Sequence, residues 1–178
     1  VEVNVSGKHD LNEAFNKMIR RAKGELIVFY QDFIKIPPDG LRKFWEEYQQ
    51  DKNTLFTAPV GKVKSFADET PAWDWRDHTD ECDWTRCELD WGAIPKKILL
   101  EIGGFDERLD QWWSFDNVSV GKRAFLKGYK FKNVRYNPAI ALDHDAIIEH
   151  PFRPKYNPQE VNKILNEYES NPTLDYVI

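Results

Sequence analysis

GGFDERLDQWWSFDNVSVGKRAFLKGYKF, residues 103–131, carries the densest set of informative features in the chain. Gly103-Gly104 permits a tight backbone turn that a Cβ would hinder. Val118, Ala124, Phe125 and Leu126 recur at roughly helical spacing, and Gly128 stands where a C-terminal cap belongs. The pattern predicts a helix with Asp116 at or just before its N-terminus, beside an aromatic wall of Trp112, Trp113 and Phe115. A carboxylate in that place is stabilised by the helix dipole and serves as a cap. It is also a carboxylate held beside flat apolar rings, and the two roles are compatible.

Working outward, Ala93-Ile94-Pro95 reads as the start of a helix through Ile98, Leu99, Leu100 and Ile102 that delivers the chain into the glycine pair. Downstream, Pro138-Ala139-Ile140-Ala141-Leu142 reads as an apolar strand ending in Asp143-His144-Asp145. Further upstream, Leu26-Ile27-Val28-Phe29-Tyr30 is a continuous apolar, β-rich run, as expected of a buried strand in a mostly parallel sheet. An amphipathic helix over 41–50 and a second strand over 55–60 follow. Together they form the repeating unit of a Rossmann-like, doubly wound α/β domain with helices flanking the sheet. In such sheets ligands collect outside the carboxyl ends of strands. Asp32, in Gln31-Asp32-Phe33 after the first of these strands, is therefore a candidate ligand-binding carboxylate or a loop carboxylate bonded to nearby amides. His144, between two acidic neighbours, reads as a structural histidine whose ring they could orient.

The N-terminal VEVNV reads as a short strand, and Asp10 as the N-cap of a helix with Leu11, Phe15, Met18 and Ile19 on one face. Residues 61–92 lack periodicity and read as one long irregular loop, the kind that is usually functional. Trp73, Trp75, Trp84 and Trp91 lie within it, and some of them must be ordinary packing. His78, Cys82 and Cys87 match no closed zinc ligand set. From Pro151 onward a polar tail carries one helix over 158–170, giving an α/β domain over 1–150 and a helical tail over 151–178.

At 178 residues, 41% hydrophobic and 31% charged, the chain is globular rather than disordered. No apolar run approaches the ~20 residues a membrane helix needs. A net charge of −5 argues against nucleic acid as a partner. Seven tryptophans in a chain that is 14% aromatic are compatible with carbohydrate binding. Two cysteines without a secretory leader ahead of them point to free thiols and a cytoplasmic chain.

Gly103, Gly104, Phe105, Asp106, Glu107, Trp113, Asp116, Arg123, Gly128 and Tyr129 match the GGFDE…W…D…R…GY segment of family 2 glycosyltransferases. The sequence resembles that family, which has the GT-A fold. The resemblance implies an inverting transfer of a sugar from a nucleotide-sugar donor to a hydroxyl of a glycan or other acceptor, with Asp116 as the general base. Phe115 replaces the first member of the family's acidic pair. Asp32 falls at the family's DxD metal motif, here without flanking acids, and His144 at the third ligand position, so Mn²⁺ or Mg²⁺ is the implied cofactor. Gln31, Gly104, Trp91, Trp112, Trp113 and Asn117 fall where donor and acceptor are held. Relatives begin with a strand–helix–strand unit that grips the nucleotide. Residues 1–24 match the later part of that half, so the fold is expected to be N-terminally incomplete, with an open sheet edge that a missing segment or a partner chain completes. A saccharide-binding or protein-interaction domain derived from a glycosyltransferase is the alternative.

Overall fold

A computed structural model describes residues 10–68, 70–73, 82–112, 116–142 and 157–176. In chain order the elements are α1 (Leu11–Arg21), β1 (Leu26–Tyr30), β2 (Ile34–Lys35), α2 (Gly40–Gln50), β3 (Thr54–Thr57), β4 (Val60–Val63), β5 (Trp91–Pro95), α3 (Lys96–Glu101), α4 (Asp116–Leu126), β6 (Lys130–Asn133), β7 (Ala139–Leu142) and α5 (Pro158–Glu167). Four strands form a sheet in the order β1-β5-β3-β6, and three form a second sheet in the order β2-β7-β4. Both are mixed: β3–β6 and β4–β7 are parallel, whereas β1–β5, β3–β5 and β2–β7 are antiparallel. Antiparallel pairing is thus more extensive than the apolar run of β1 suggests. A strand covered on both faces is apolar throughout whichever way its neighbour runs.

The alternation of strand side chains explains why these runs are continuous. Phe29, Leu55 and Ile94 face one side, where Ile19 of α1, Ile98 and Leu99 of α3, and Val120 and Ala124 of α4 complete a core. Val28, Phe56, Trp91 and Ala93 face the other, against Phe44 and Tyr48 of α2. Trp91 is the largest member of that second core. It is fully buried, packs 4.7 Å from Phe44 between ring centroids, and donates its indole N–H to Asn137 O at 2.8 Å.

Residues 91–95 are a strand rather than the start of a helix. Ala93 and Ile94 enter opposite cores, and Pro95 sits at the strand's end opposite Leu26, leaving Lys96 to open α3. The stretch over 61–92 is also less irregular than expected. Its first residues belong to β4, beside β7, and Lys62 pairs with Ala72 through two backbone hydrogen bonds of 2.8 and 2.9 Å. Alternation over so few residues, interrupted by a glycine and lysines, is too short to reveal a strand.

Helix α5 docks on the elements before it. Val161, Ile164 and Tyr168 pack with Leu109, and Leu126 and Leu174 lie against them. Tyr168, fully buried, donates its hydroxyl to Asp106 at 2.7 Å and lies 2.9 Å from Ser119 Oγ. Burial pushes the Asp106 carboxyl upward, but bonds from Arg108 and Tyr168 outweigh it and hold the group below its usual range. Tyr168→Phe is expected to cost about 1–3 kcal/mol, because a buried carboxylate and a buried hydroxyl lose a shared partner. Urea unfolding measures this, and a loss below about 0.5 kcal/mol would show the hydroxyl to be dispensable. Among the described residues no helix is long and apolar enough to cross a membrane.

Candidate functional site

The glycine pair and α4 are joined by one side chain. Gly103 and Gly104 have φ of 78° and 80°, and Arg123, on the buried side of α4, donates to Ile102 O and Gly104 O, each at 2.6 Å. The same guanidinium bonds Ser119 and lies 5.3 Å from the Tyr168 ring. Burial pushes it down to about 10, so it stays charged at neutral pH. This clamp fixes where α4 begins, and α4 begins with Asp116.

At the N-terminus of α4 the chain meets the end of β1, the start of α1 and the segment before β5. They enclose a cavity of about 690 Å³, lined among others by Phe15, Phe29, Gln31, Asp32, Asp116 and Asn117. The volume lies within the ~300–1,000 Å³ of small-ligand sites. Gln31 donates to Asp90 Oδ1 at 2.6 Å, and Asn117 reaches Glu88 Oε2 at 3.3 Å, so both amides brace carboxylates on the facing wall. Burial pushes the Asp116 carboxyl up, and the neighbouring Asp90 adds to it; backbone N–H groups at the helix start offset only part of this. A carboxylate whose proton affinity is raised towards neutrality suits general-base chemistry.

Asp110 does what was expected of Asp10. The Asp10 side chain makes no capping bond, and Asp110, from the turn ahead of α4, accepts the N–H groups of Asn12 at 2.8 Å and Glu13 at 3.2 Å. Burial pushes Asp110 up to about 6 despite those bonds. Asn12, Glu88, Asp90 and Asp110 line the cavity, and none was singled out from the sequence. One trace was available: Glu88-Leu89-Asp90 alternates acid, buried apolar, acid, the pattern of a wall with one wet face.

Sequence comparison matches the chain to no family model and to no curated protein. Solved structures do match. GalNAc-T7 with UDP, GalNAc and Mn²⁺ superposes with a TM-score of 0.63 at 12% identity, covering 90% of this chain and 37% of that one. S. aureus TarS 1–349 superposes at 0.61 with UDP bound (13% identity) and at 0.65 with UDP-GlcNAc bound (14% identity); each match covers 90% of this chain, and 45% and 47% of TarS respectively. The fold is GT-A. The chain spans less than half of these GT-A glycosyltransferases.

Within the GT-A frame the expected site residues separate. Asp116, Asn117, Gln31 and Asp32 line the cavity. Trp91 does not, because a ring with no exposed face cannot stack on a sugar. Gly104 is also turned inward: its N–H donates to Leu99 O at 2.7 Å and its carbonyl accepts from Arg123, so it shapes the turn rather than touching a ligand. Of the other loop tryptophans, Trp84 lies under Lys122, 5.7 Å from its ring centroid, and Trp73 is packed at Gly61. Among the described residues, Phe15, Phe29 and Tyr30 supply aromatic rings to the cavity lining. Trp113, Phe115, Trp75, His78 and His144 lie outside the described residues, as does the side chain of Trp112. Neither Cys82 nor Cys87 is in a disulfide. Among the described residues no three His, Cys, Asp or Glu side chains group as a metal site.

Proposed function

We propose that the chain is the catalytic part of an inverting glycosyltransferase, moving a sugar from a nucleotide-sugar donor to an acceptor hydroxyl. The observation that carries this reading is that Asp32, beyond β1, and Asp116, at the start of α4, line one cavity in a GT-A fold. As the acceptor oxygen attacks the anomeric carbon, its proton passes to the Asp116 carboxylate, and the diphosphate leaves from the opposite face. Asn117, next to the base in sequence, donates its amide to Glu88 on the same cavity wall. The leaving group is anionic, while the described wall is lined by carboxylates. Hard oxygen ligands such as Asp32 fit Mn²⁺ or Mg²⁺, with His144, phosphate oxygens and water completing the shell; the ion supplies positive charge for the departing diphosphate. Among the described residues β1 stands at the edge of its sheet, where a further segment or a partner strand would pair.

A saccharide-binding domain without transfer is the second reading. It is favoured by Gln31, which spends its amide on Asp90 where a second carboxylate would serve a metal. Calorimetric titration of UDP, with and without Mn²⁺, separates the two. The transferase reading expects binding that needs the metal and weakens at least about tenfold in Asp32→Ala, roughly the loss of one charged contact. Saccharide binding with no affinity for UDP or GDP under either condition would overturn it in favour of the second reading.

A further inference from the structure

The sheet β1-β5-β3-β6 has two chemically different ends. At one, Tyr30, Gln31 and Asp32 lead into the cavity, whose described lining holds carboxylates and no basic side chain. At the other, Leu26 stands opposite Pro95 and Thr54 opposite Lys130, and the chain around them is basic. Lys96 donates to Ala22 O at 2.6 Å, which holds the end of α1, with Arg20, Arg21 and Lys23, against the end of β5. Lys97 donates to Asn53 Oδ1 at 2.6 Å, and Lys127 stands at the end of α4, ahead of Lys130 in β6. Glu25, Asp51, Glu101 and Asp175 are the acids among these residues. Lys52 and Lys130 answer the first two at 3.7 and 2.8 Å, and Glu101 accepts from Tyr129. Cations still outnumber acids among the described residues of this end, in a chain whose net charge is −5.

Helix dipoles account for part of this charge. Arg20, Arg21 and Lys127 stand at helix C-termini, where a cation is favoured. Lys96 and Lys97 do not fit that account. They open α3, where the dipole opposes a cation, and no acid stands in that first turn. Exposed apolar side chains are interleaved with the cations. Met18, 50% exposed, shares a face of α1 with Arg21, and Leu100, 39% exposed, shares a face of α3 with Lys97. Phe125, 51% exposed, lies two residues before Lys127. Cations mixed with exposed apolar groups suit a lipid interface, which attracts the first and buries the second. A nucleic-acid backbone would meet the cations and leave Met18, Leu100 and Phe125 in water.

We propose that this end of the sheet is a docking face for an anionic lipid surface. Arg20, Arg21, Lys23 and Lys97 meet the headgroups, while Met18 and Phe125 enter the boundary with the acyl chains. The cavity lies beyond the far end of β1, a strand roughly 17 Å long, and so opens away from the bilayer. Its carboxylates are thereby kept from the like charge of the lipid. The proposal does not depend on the transferase reading.

The test is co-sedimentation of the whole chain with vesicles of phosphatidylcholine, alone or mixed with phosphatidylglycerol, at about 0.05 M and about 0.5 M salt. Binding is expected to the mixed vesicles at the lower salt, and should weaken at least about tenfold at the higher. Replacing both Lys23 and Lys97 with Gln should weaken it at least about tenfold, and Phe125→Ser at least about threefold. All three side chains are exposed, so the thermal transition should stay in place. Replacing Lys62 and Lys64 with Gln removes the same charge from exposed positions beside β4 in the second sheet, and should change binding by less than about twofold. No sedimentation with the mixed vesicles at the lower salt, equal binding to the neutral ones, or an equal loss from the Lys62 and Lys64 pair would overturn the proposal. A DNA duplex bound more tightly than the vesicles, and indifferent to Phe125→Ser, would reassign the face to nucleic acid. The UDP titration is made without vesicles, so its failure removes the transferase reading and leaves this proposal standing.

Discussion

Gly103→Ala is expected to lower the melting temperature by at least about 6–12 °C, equivalent to roughly 3 kcal/mol in a domain of this size. Two costs combine. At φ 78° an L side chain is strained by roughly 1–2 kcal/mol. The added Cβ would also lie 1.5 Å from Leu174 O and 2.3 Å from its carbonyl carbon, and neither atom can swing away as a side-chain tip would. Leu174 is itself held, its N–H donating to Ile102 O at 3.1 Å, so the segment after α5 must leave its seat or the turn must open. Opening the turn disturbs the carbonyls that Arg123 grips, and with them the start of α4.

Gly128 provides the control. Its φ is 82°, yet nothing lies within 4 Å of the Cβ an alanine would add. Gly128→Ala carries the backbone strain alone and should lose only about 2–4 °C, as roughly 1 kcal/mol does. Removing residues 171–178 from both the parent and Gly103→Ala should shrink the cost of that alanine towards the Gly128 value, since the clashing carbonyl is gone. Equal losses at the two glycines in the full chain would mean that the close approach to Leu174 does not contribute, and double-mutant additivity would say the same.

What could be read from the sequence follows the range of the forces involved. Helices α1, α2, α4 and α5 are local objects. Their apolar spacing and terminal residues lie within a dozen positions, and Gly128 closes α4 as expected, with Tyr129 N donating to Ala124 O at 3.1 Å. β1 is legible for the same reason. Sheet pairing is not, because the antiparallel neighbour of β1 arrives some 65 positions later and leaves no mark in the β1 run. The site divides in the same way. Asp116 and Asp32 are marked by their places at a helix start and a strand end. Asp110 and Asn12 meet only because the turn ahead of α4 folds back over α1, across 98 positions. Trp91 misled because composition records how many indoles a chain has, not which of them a strand turns into its core.

Asp116→Asn is expected to reduce sugar transfer by about 10²–10⁴-fold, the usual contribution of a positioned general base, while UDP affinity in the presence of Mn²⁺ stays within about twofold. The choice of asparagine separates the base from the cap, because asparagine serves a helix start about as well as aspartate does. If capping were the residue's whole task, both activity and stability would survive the change. Stability should in fact hold or rise. Burial raises the carboxyl's proton affinity in the folded chain, so its contribution to stability is full below the unfolded-state value and is lost as pH rises through the higher folded-state value. Ionising the buried group therefore works against the folded chain, and the neutral amide carries no such penalty. Calorimetric melting of both forms at pH 7.5, read beside a UDP-release assay, tests the two halves together. On the transferase reading, the parent's rate should also fall as pH drops through a value above the ordinary aspartate range, and this limb should be missing from the residual activity of the variant. Retained transfer with the limb intact would assign the base to another residue, and Asp110, across the same cavity and held up to about 6, would be the next to replace.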